Sequence, residues 1–330
     1  MKKILAVLLC AIVIAVSAMG LSACNKAKSG VITVYVPDGA PALAIAQLMC
    51  YNADFNKNVE YHVVSSEEIT SHVTYDEMAK NADLCVLPVN SASKLVGNGE
   101  NYKMLGTVTH GNLYIVSAND KTELTRDNFK DLLMNTKVGV INMSAFPGAV
   151  SKLLINKYNV TSITLEAITA NLVTGVDSQC DYFVIPEPAA TTKVNAAALN
   201  LKFAGSVQDL YGDNGYPQAV LVAKSSLIES DPEFIAQFTG AMESAASWLM
   251  QESVSAETIF NAVKSGYADP ENTTPAFTAA NLTKPVIENC AIRFEKSASC
   301  KEAVINFLEE LKSAGDGAAT TVSDNFFYLG

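Results

Sequence analysis

The chain has 330 residues, 49% of them apolar and 17% charged, with a formal charge of −11 and no low-complexity tract, which is a globular composition. Arg126 and Arg293 are its only arginines and no basic cluster occurs, so a nucleic-acid partner is not expected, because neutralising phosphates needs concentrated Lys and Arg. No CxxC pair occurs among the seven cysteines, and His62, His72 and His110 show no ligand spacing, so no metal or other cofactor is expected.

Lys2 and Lys3 begin the chain, Ile4 to Met19 is almost unbroken apolar sequence, and Leu21-Ser22-Ala23 places small residues before Cys24. A positive end, a greasy centre and a small-residue cleavage site are the requirements of an export signal. The apolar run is shorter than the roughly 20 residues that span a bilayer as a helix. Leu-Ser-Ala-Cys resembles the lipobox of bacterial lipoproteins. That resemblance implies a signal peptide over 1–23, cleavage before Cys24, a diacylglyceride on the Cys24 sulfur and a fatty acyl group such as palmitate on the new amino terminus. Several acyl chains anchor durably, since each buried CH₂ contributes about 0.8 kcal/mol. Residues 24–30 then form a polar tether, and the mature chain of 307 residues carries −13 once Lys2 and Lys3 are gone. It is expected on the extracytoplasmic face of the cell membrane. Five cysteines remain in the body of the protein, so at least one is free; Cys50 and Cys85 lie in apolar patterns as core residues, and whether Cys290 and Cys300 pair is open.

From the tether onward, strand and helix signals alternate. Val31 to Val36 is a β-branched strand stopped by Pro37, and Asp38-Gly39-Ala40-Pro41 opens a helix over ALAIAQLMC. Val59 to Val64 is a second strand, Thr74 to Lys80 a short helix, and Leu84 to Leu87 a third strand ending at Pro88. The grammar repeats with a strand at Lys137 to Ile141, a helix at Pro147 to Tyr158, a strand at Thr161 to Leu165, a short helix at Thr169 to Val173 and strands at Asp181 to Ile185 and Leu201 to Ala204. Uninterrupted apolar strands between helices indicate parallel sheets covered on both faces. Two longer strand-like segments, Met104 to Ala118 and Gln218 to Lys224, are natural crossovers between two α/β sets. After Ser225 the pattern is helical, with Phe234, Phe238, Met242, Ala245 and Trp248 at core spacing.

The segments YVPDGAPALAIAQLM (35–49), ADLCVLPVNSASKL (82–95), GVINMSAFPGAVSKLL (139–154), DYFVIPEPAA (181–190) and YPQAVLVAKSSLIESDPEFIAQF (216–238) together resemble the extracytoplasmic solute-binding proteins of ABC importers. The group in question serves nitrate, alkanesulfonates, taurine and thiamine-type pyrimidines. This resemblance implies an α/β, two-lobe periplasmic-binding-protein-like fold of type II, each lobe a central sheet flanked by helices. Lobe one would comprise 31–112 and 224–330, and lobe two 113–223. The solute would sit between them, beyond the carboxyl ends of the strands.

Each loop at those ends supplies candidates. Asp38, Gly39 and Ala40 join strand to helix, where amides face polar oxygen, with N-capping by Asp38 as the alternative. Asn90 and Ser91 follow Pro88 and can hydrogen-bond a small solute or cap the next helix. Thr109 and His110 lie where the first crossover passes the cleft. Ser144 and Phe146 offer a hydroxyl and an aromatic face from the other lobe. Glu187, between Pro186 and Pro188, can accept hydrogen bonds from ring nitrogens or serve as a structural carboxylate. Tyr216 and Gln218 flank Pro217 on the return crossover.

The expected function is capture of a small molecule and its delivery to a membrane permease driven by a separate ATPase subunit, by a monomer without catalytic activity. The chain has no phosphate-binding loop, nucleophile elbow or metalloprotease helix motif. A sensor lipoprotein is the alternative role. For the solute, the absence of Lys and Arg from the cleft loops and the presence of Asp38 and Glu187 favour a nitrogenous heterocycle such as a pyrimidine over a sulfonate or nitrate anion.

Overall fold

The computed structural model describes residues 30–51, 55, 57–118 and 121–330. The export signal, Cys24 and nearly all of the tether lie outside the described residues. Eleven strands among the described residues form two mixed sheets. The first has the order β11-β4-β10-β3-β1-β2, from Ile292–Lys296, Tyr102–Thr109, Ala219–Lys224, Leu84–Pro88, Val31–Pro37 and Asn58–Val64. The second has the order β7-β6-β8-β5-β9, from Ile163–Ile168, Thr136–Ile141, Tyr182–Pro186, Leu113–Ala118 and Leu201–Ser206.

Parallel pairing holds for β1 with β2 and β3 and for β6 with β7 and β8, but β10 runs antiparallel to β3 and β4, and β5 antiparallel to β8 and β9. The sheets are therefore mixed rather than wholly parallel. The physical reason is that each returning crossover inserts its strand into the middle of a sheet, where it is buried on both faces and reads as apolar as its parallel neighbours. All six residues of β10 are buried. A partly buried ion pair ties its end: Lys224 Nζ lies 2.9 Å from Asp83 Oδ1, while Asp83 Oδ2 accepts from the Thr33 amide at 3.0 Å.

Twelve α-helices among the described residues cover the sheets. They are α1 (Ala40–Ala44), α2 (Ala46–Tyr51), α3 (Val89–Val96), α4 (Phe129–Leu133), α5 (Phe146–Lys157), α6 (Ala189–Asn195), α7 (Val207–Tyr211), α8 (Ser225–Ser230), α9 (Pro232–Met250), α10 (Ala256–Lys264), α11 (Lys284–Asn289) and α12 (Ser297–Ser313). The 19-residue α9 starts where the Asp231 carboxylate accepts from the Phe234 amide with Pro232 at the first position, and it buries Phe234, Phe238, Met242, Ala245 and Trp248 as the spacing requires. The first expected helix is interrupted at Ile45. The helix expected over 74–80 is instead two 3₁₀ turns, Ile69–Val73 and Met78–Lys80, because Asn81 takes the Tyr75 amide onto its own carbonyl oxygen. After Ser225 the chain is not all helical: β11 adds an edge strand antiparallel to β4.

Helix α12 packs on β4 and α3 beside the first sheet and also touches α5 beside the second. Phe307 on α12 is fully buried; its ring stacks on Tyr216 at 5.3 Å and meets Tyr211 at 5.3 Å and Phe146 at 6.2 Å. One apolar core is thus continuous between the sheets, running from Leu87 and Val220 through Phe307 to Val150 and Leu154. Separate cores fill the far face of each sheet. All five described cysteines are free. Cys290 and Cys300 do not pair, their thiols facing the Val286 and Glu295 carbonyls respectively.

Candidate functional site

The ends of β1, β3 and β4 on one sheet and of β6 and β8 on the other point toward the same seam, which places most of the sequence-nominated loops there. The seam is crossed at a tight turn, 110–112, between β4 and β5. Gly111 has φ +105°, and a Cβ on it would lie 2.7 Å from Gln208 Cβ and 3.0 Å from the Tyr216 ring, so only glycine lets these side chains close in. The return chain docks on the same turn: the Tyr216 amide donates to the His110 carbonyl at 3.2 Å and the Gln218 amide to Thr109 at 3.0 Å.

This turn concentrates unmet hydrogen-bonding capacity. Among the described residues, eight buried side-chain polar atoms have no partner, and five of them are Thr109 Oγ1, His110 Nδ1, Gln208 Oε1, Tyr216 OH and Gln218 Oε1. Buried polar groups are normally paired, and each exception costs about 1–3 kcal/mol. A cluster of them marks a place where ordered water or a ligand would supply the missing partners. His110 is only 4% exposed. Its Nε2 lies 3.1 Å from the Thr107 hydroxyl and 3.3 Å from Glu295 Oε2. Burial and then the Arg293 charge push its pKa down to about 4, against the pull of Glu295, so the ring is neutral at ordinary pH. Burial pushes the Tyr216 phenol up, and it too stays neutral.

The remaining nominated residues are engaged differently. Asp38 does not cap α1, whose N-cap is Gly39; its carboxylate accepts from the Gly39 amide and, at 2.7 Å, from the Ala276 amide of the loop after α10. Ala40 is buried. The Asn90 amide donates to Asp316 Oδ2 at 2.8 Å and its oxygen accepts from the Ser91 amide, which leaves the Ser91 side chain half-buried beside it. Phe146 is buried in the aromatic cluster with Tyr216 and Phe307, whereas Ser144 is exposed. The Glu187 carboxylate, 3% exposed, is committed to three protein donors: the Thr191 amide at 3.1 Å, the Thr191 hydroxyl at 2.7 Å and Asn289 Nδ2 at 2.7 Å. Asn289 ends α11 beside the first sheet, and Tyr114 of β5 donates to its carbonyl at 3.1 Å. Glu187 and Tyr114 together clasp Asn289 across the seam, which favours the structural role for this carboxylate.

Gln208 and Asn289 were not legible as site residues. Gln208 lies in a short helix whose sequence, VQDLY, reads as an exposed turn of helix; its burial comes from Gly111, 97 residues earlier. Among the described residues no group of His, Cys, Asp and Glu could hold a metal ion, and no helix is long and apolar enough to cross a membrane.

No protein-family model matches this chain, and no curated protein matches it by sequence. Solved structures do. An ABC transporter protein from Parabacteroides distasonis superposes with a TM-score of 0.71 at 19% identity, over 90% of this chain and 98% of that one. The periplasmic aliphatic sulphonate binding protein SsuA of Escherichia coli gives 0.60 at 11% identity, over 86% of each chain. The ligand-binding component of an ABC-type import system from Staphylococcus aureus, with zinc bound, gives 0.57 at 10% identity over 91% and 97%. The chain has the two-sheet α/β fold of the periplasmic binding proteins, and its structural neighbours include binding components of ABC importers, sulphonate-binding proteins among them.

Proposed function

We propose that the protein is the solute-binding component of an ABC importer, a monomer tethered through lipidated Cys24 to the outer face of the cell membrane. On this reading 31–112 with 224–330 and 113–223 are two lobes that close on a small molecule and present it to a permease, except that residues 219–223, expected in the second lobe, pair within the first sheet as part of β10 and belong to the first. The observation that carries the proposal is the group of five unpartnered buried polar atoms at the crossover between the sheets. A ligand that pairs these atoms would stabilise the folded state. The function is capture, since a ligand that contacts both halves shifts them toward closure by its differential affinity for the two states. A nitrogenous heterocycle suits the site better than a sulfonate or nitrate: the five residues are uncharged, with His110 neutral, and Lys and Arg are absent from them.

A melting-curve screen against nitrogenous heterocycles, sulfonates and nitrate tests the proposal. A solute at a hundred times its Kd stabilises the folded state by about 2.7 kcal/mol. Binding accompanied by a smaller radius of gyration in X-ray scattering supports capture between lobes; saturation without compaction contradicts it.

A further inference from the structure

The unpartnered atoms at the 109–112 turn divide by chemistry, and the division is one-sided. The Glu295 carboxylate only accepts, so the His110 Nε2 that faces it at 3.3 Å carries the ring proton and Nδ1 is a bare lone pair. Gln218 donates through Nε2 to Asn112 Oδ1 at 2.8 Å, which aims its free Oε1 away from that partner. Gln208 lies beside the Tyr114 hydroxyl, whose pKa it pulls down against the upward push of burial, and its Oε1 has no partner. Three obligate acceptors are therefore open, together with two hydroxyls, Thr109 and Tyr216, that can donate or accept. Arg293, whose charge acts on His110, is already engaged by Glu295 Oε1 at 2.7 Å and the Asn214 carbonyl at 3.3 Å.

We propose that the solute is rich in hydrogen-bond donors, presenting N–H groups and no anionic oxygen to this turn, and that Gln208 is a specificity-determining residue that reads one of those donors through Oε1. This rests on the solute-capture reading above. A sulfonate or nitrate brings only acceptors and would meet three lone pairs. An N–H edge satisfies them. A site built to pair a donor also rejects the analogue that lacks it, because its buried acceptor is then left without a partner. Gln208 is well placed for this: it is 6% exposed and packs against Gly111 and Gly215, at the junction of both crossovers.

The test uses the full-length protein and calorimetric titration with uracil, cytosine, adenine and benzimidazole, their N-methylated counterparts, and methanesulfonate. The expected result is that at least one N–H compound binds at least tenfold more tightly than its N-methylated counterpart. Gln208→Met should lose that preference while its solute-free melting midpoint stays level or rises. A preference retained in Gln208→Met overturns the role of Gln208, and a midpoint lowered by several degrees shows the amide to be structural. Preferential binding of methanesulfonate overturns the donor-rich class yet leaves solute capture standing. Binding of none of these compounds overturns the class, whereas capture itself is then judged by whether the protein retains a small molecule on purification.

Discussion

Replacing Glu187 by Gln isolates the clasp between the two sheets. The carboxylate takes three donors, with Oε2 on the Thr191 amide and Oε1 on both the Thr191 hydroxyl and Asn289. A carboxamide has one oxygen. If its nitrogen replaces Oε2 it confronts the Thr191 N–H, and if it replaces Oε1 it confronts Asn289 Nδ2, so at least one donor loses its partner in either orientation. A hydrogen bond to a charged group contributes about 1.5–3 kcal/mol, and the bonds that survive lose their charge assistance. Glu187→Gln should therefore destabilise the solute-free protein by about 2–3 kcal/mol, or roughly 3–5 °C in melting midpoint for a chain of this size. Because one partner is Asn289 on the opposite side of the seam, the variant should also sample more open shapes, with a larger radius of gyration in solution. Asn289→Ala should reproduce part of the loss, and the double variant should show a coupling above about 0.5 kcal/mol. Circular-dichroism melting of the three variants measures this. A midpoint unchanged within a degree, combined with weaker solute binding, would refute the clasp and return Glu187 to the solute.

Other expectations follow from the same seam. The unfolded His110 imidazole titrates near 6.5 and the folded one at about 4; between those values the unfolded chain holds the extra proton, so stability falls as pH drops through that window, by about 3 kcal/mol in all. His110→Gln should remove that component, and identical pH–melting profiles for the two proteins would contradict it. Phe307→Ala should cost about 3–5 kcal/mol, as a fully buried ring is lost, and scattering should show looser lobes; a loss under 1 kcal/mol in denaturant titration would argue against the bridging core. Cys24→Ala should abolish incorporation of a fatty-acid probe, and equal labelling of both proteins would exclude the lipid anchor.

Much of the architecture was written locally. β3 and β8 are short apolar runs ended by proline, and α9 carries its cap and its core stripe in one segment. β11 was hidden because Ile292-Arg-Phe-Glu-Lys296 is a half-exposed edge strand of five residues between two helices, with charges that a helix face carries equally well. Strand direction was hidden for the opposite reason, since burial on both faces erases the alternation that marks an antiparallel strand. Of the five residues with unpartnered atoms at the crossover, Thr109, His110, Tyr216 and Gln218 were nominated from their position on the crossover segments. Gln208 and Asn289 were not, because each owes its role to a partner about 100 residues or more away: Gly111 for the first, and Glu187 with Tyr114 for the second.

Native mass spectrometry of the mature protein, purified without denaturant from the cells that make it, tests solute capture most directly. Capture at the 109–112 turn predicts a bound small molecule at one per chain, released on unfolding and depleted in Gln218→Leu purified alongside. A wild-type chain at the mass of the processed, lipidated protein alone that also binds nothing when returned to host extract, or an adduct undiminished in Gln218→Leu, would contradict it.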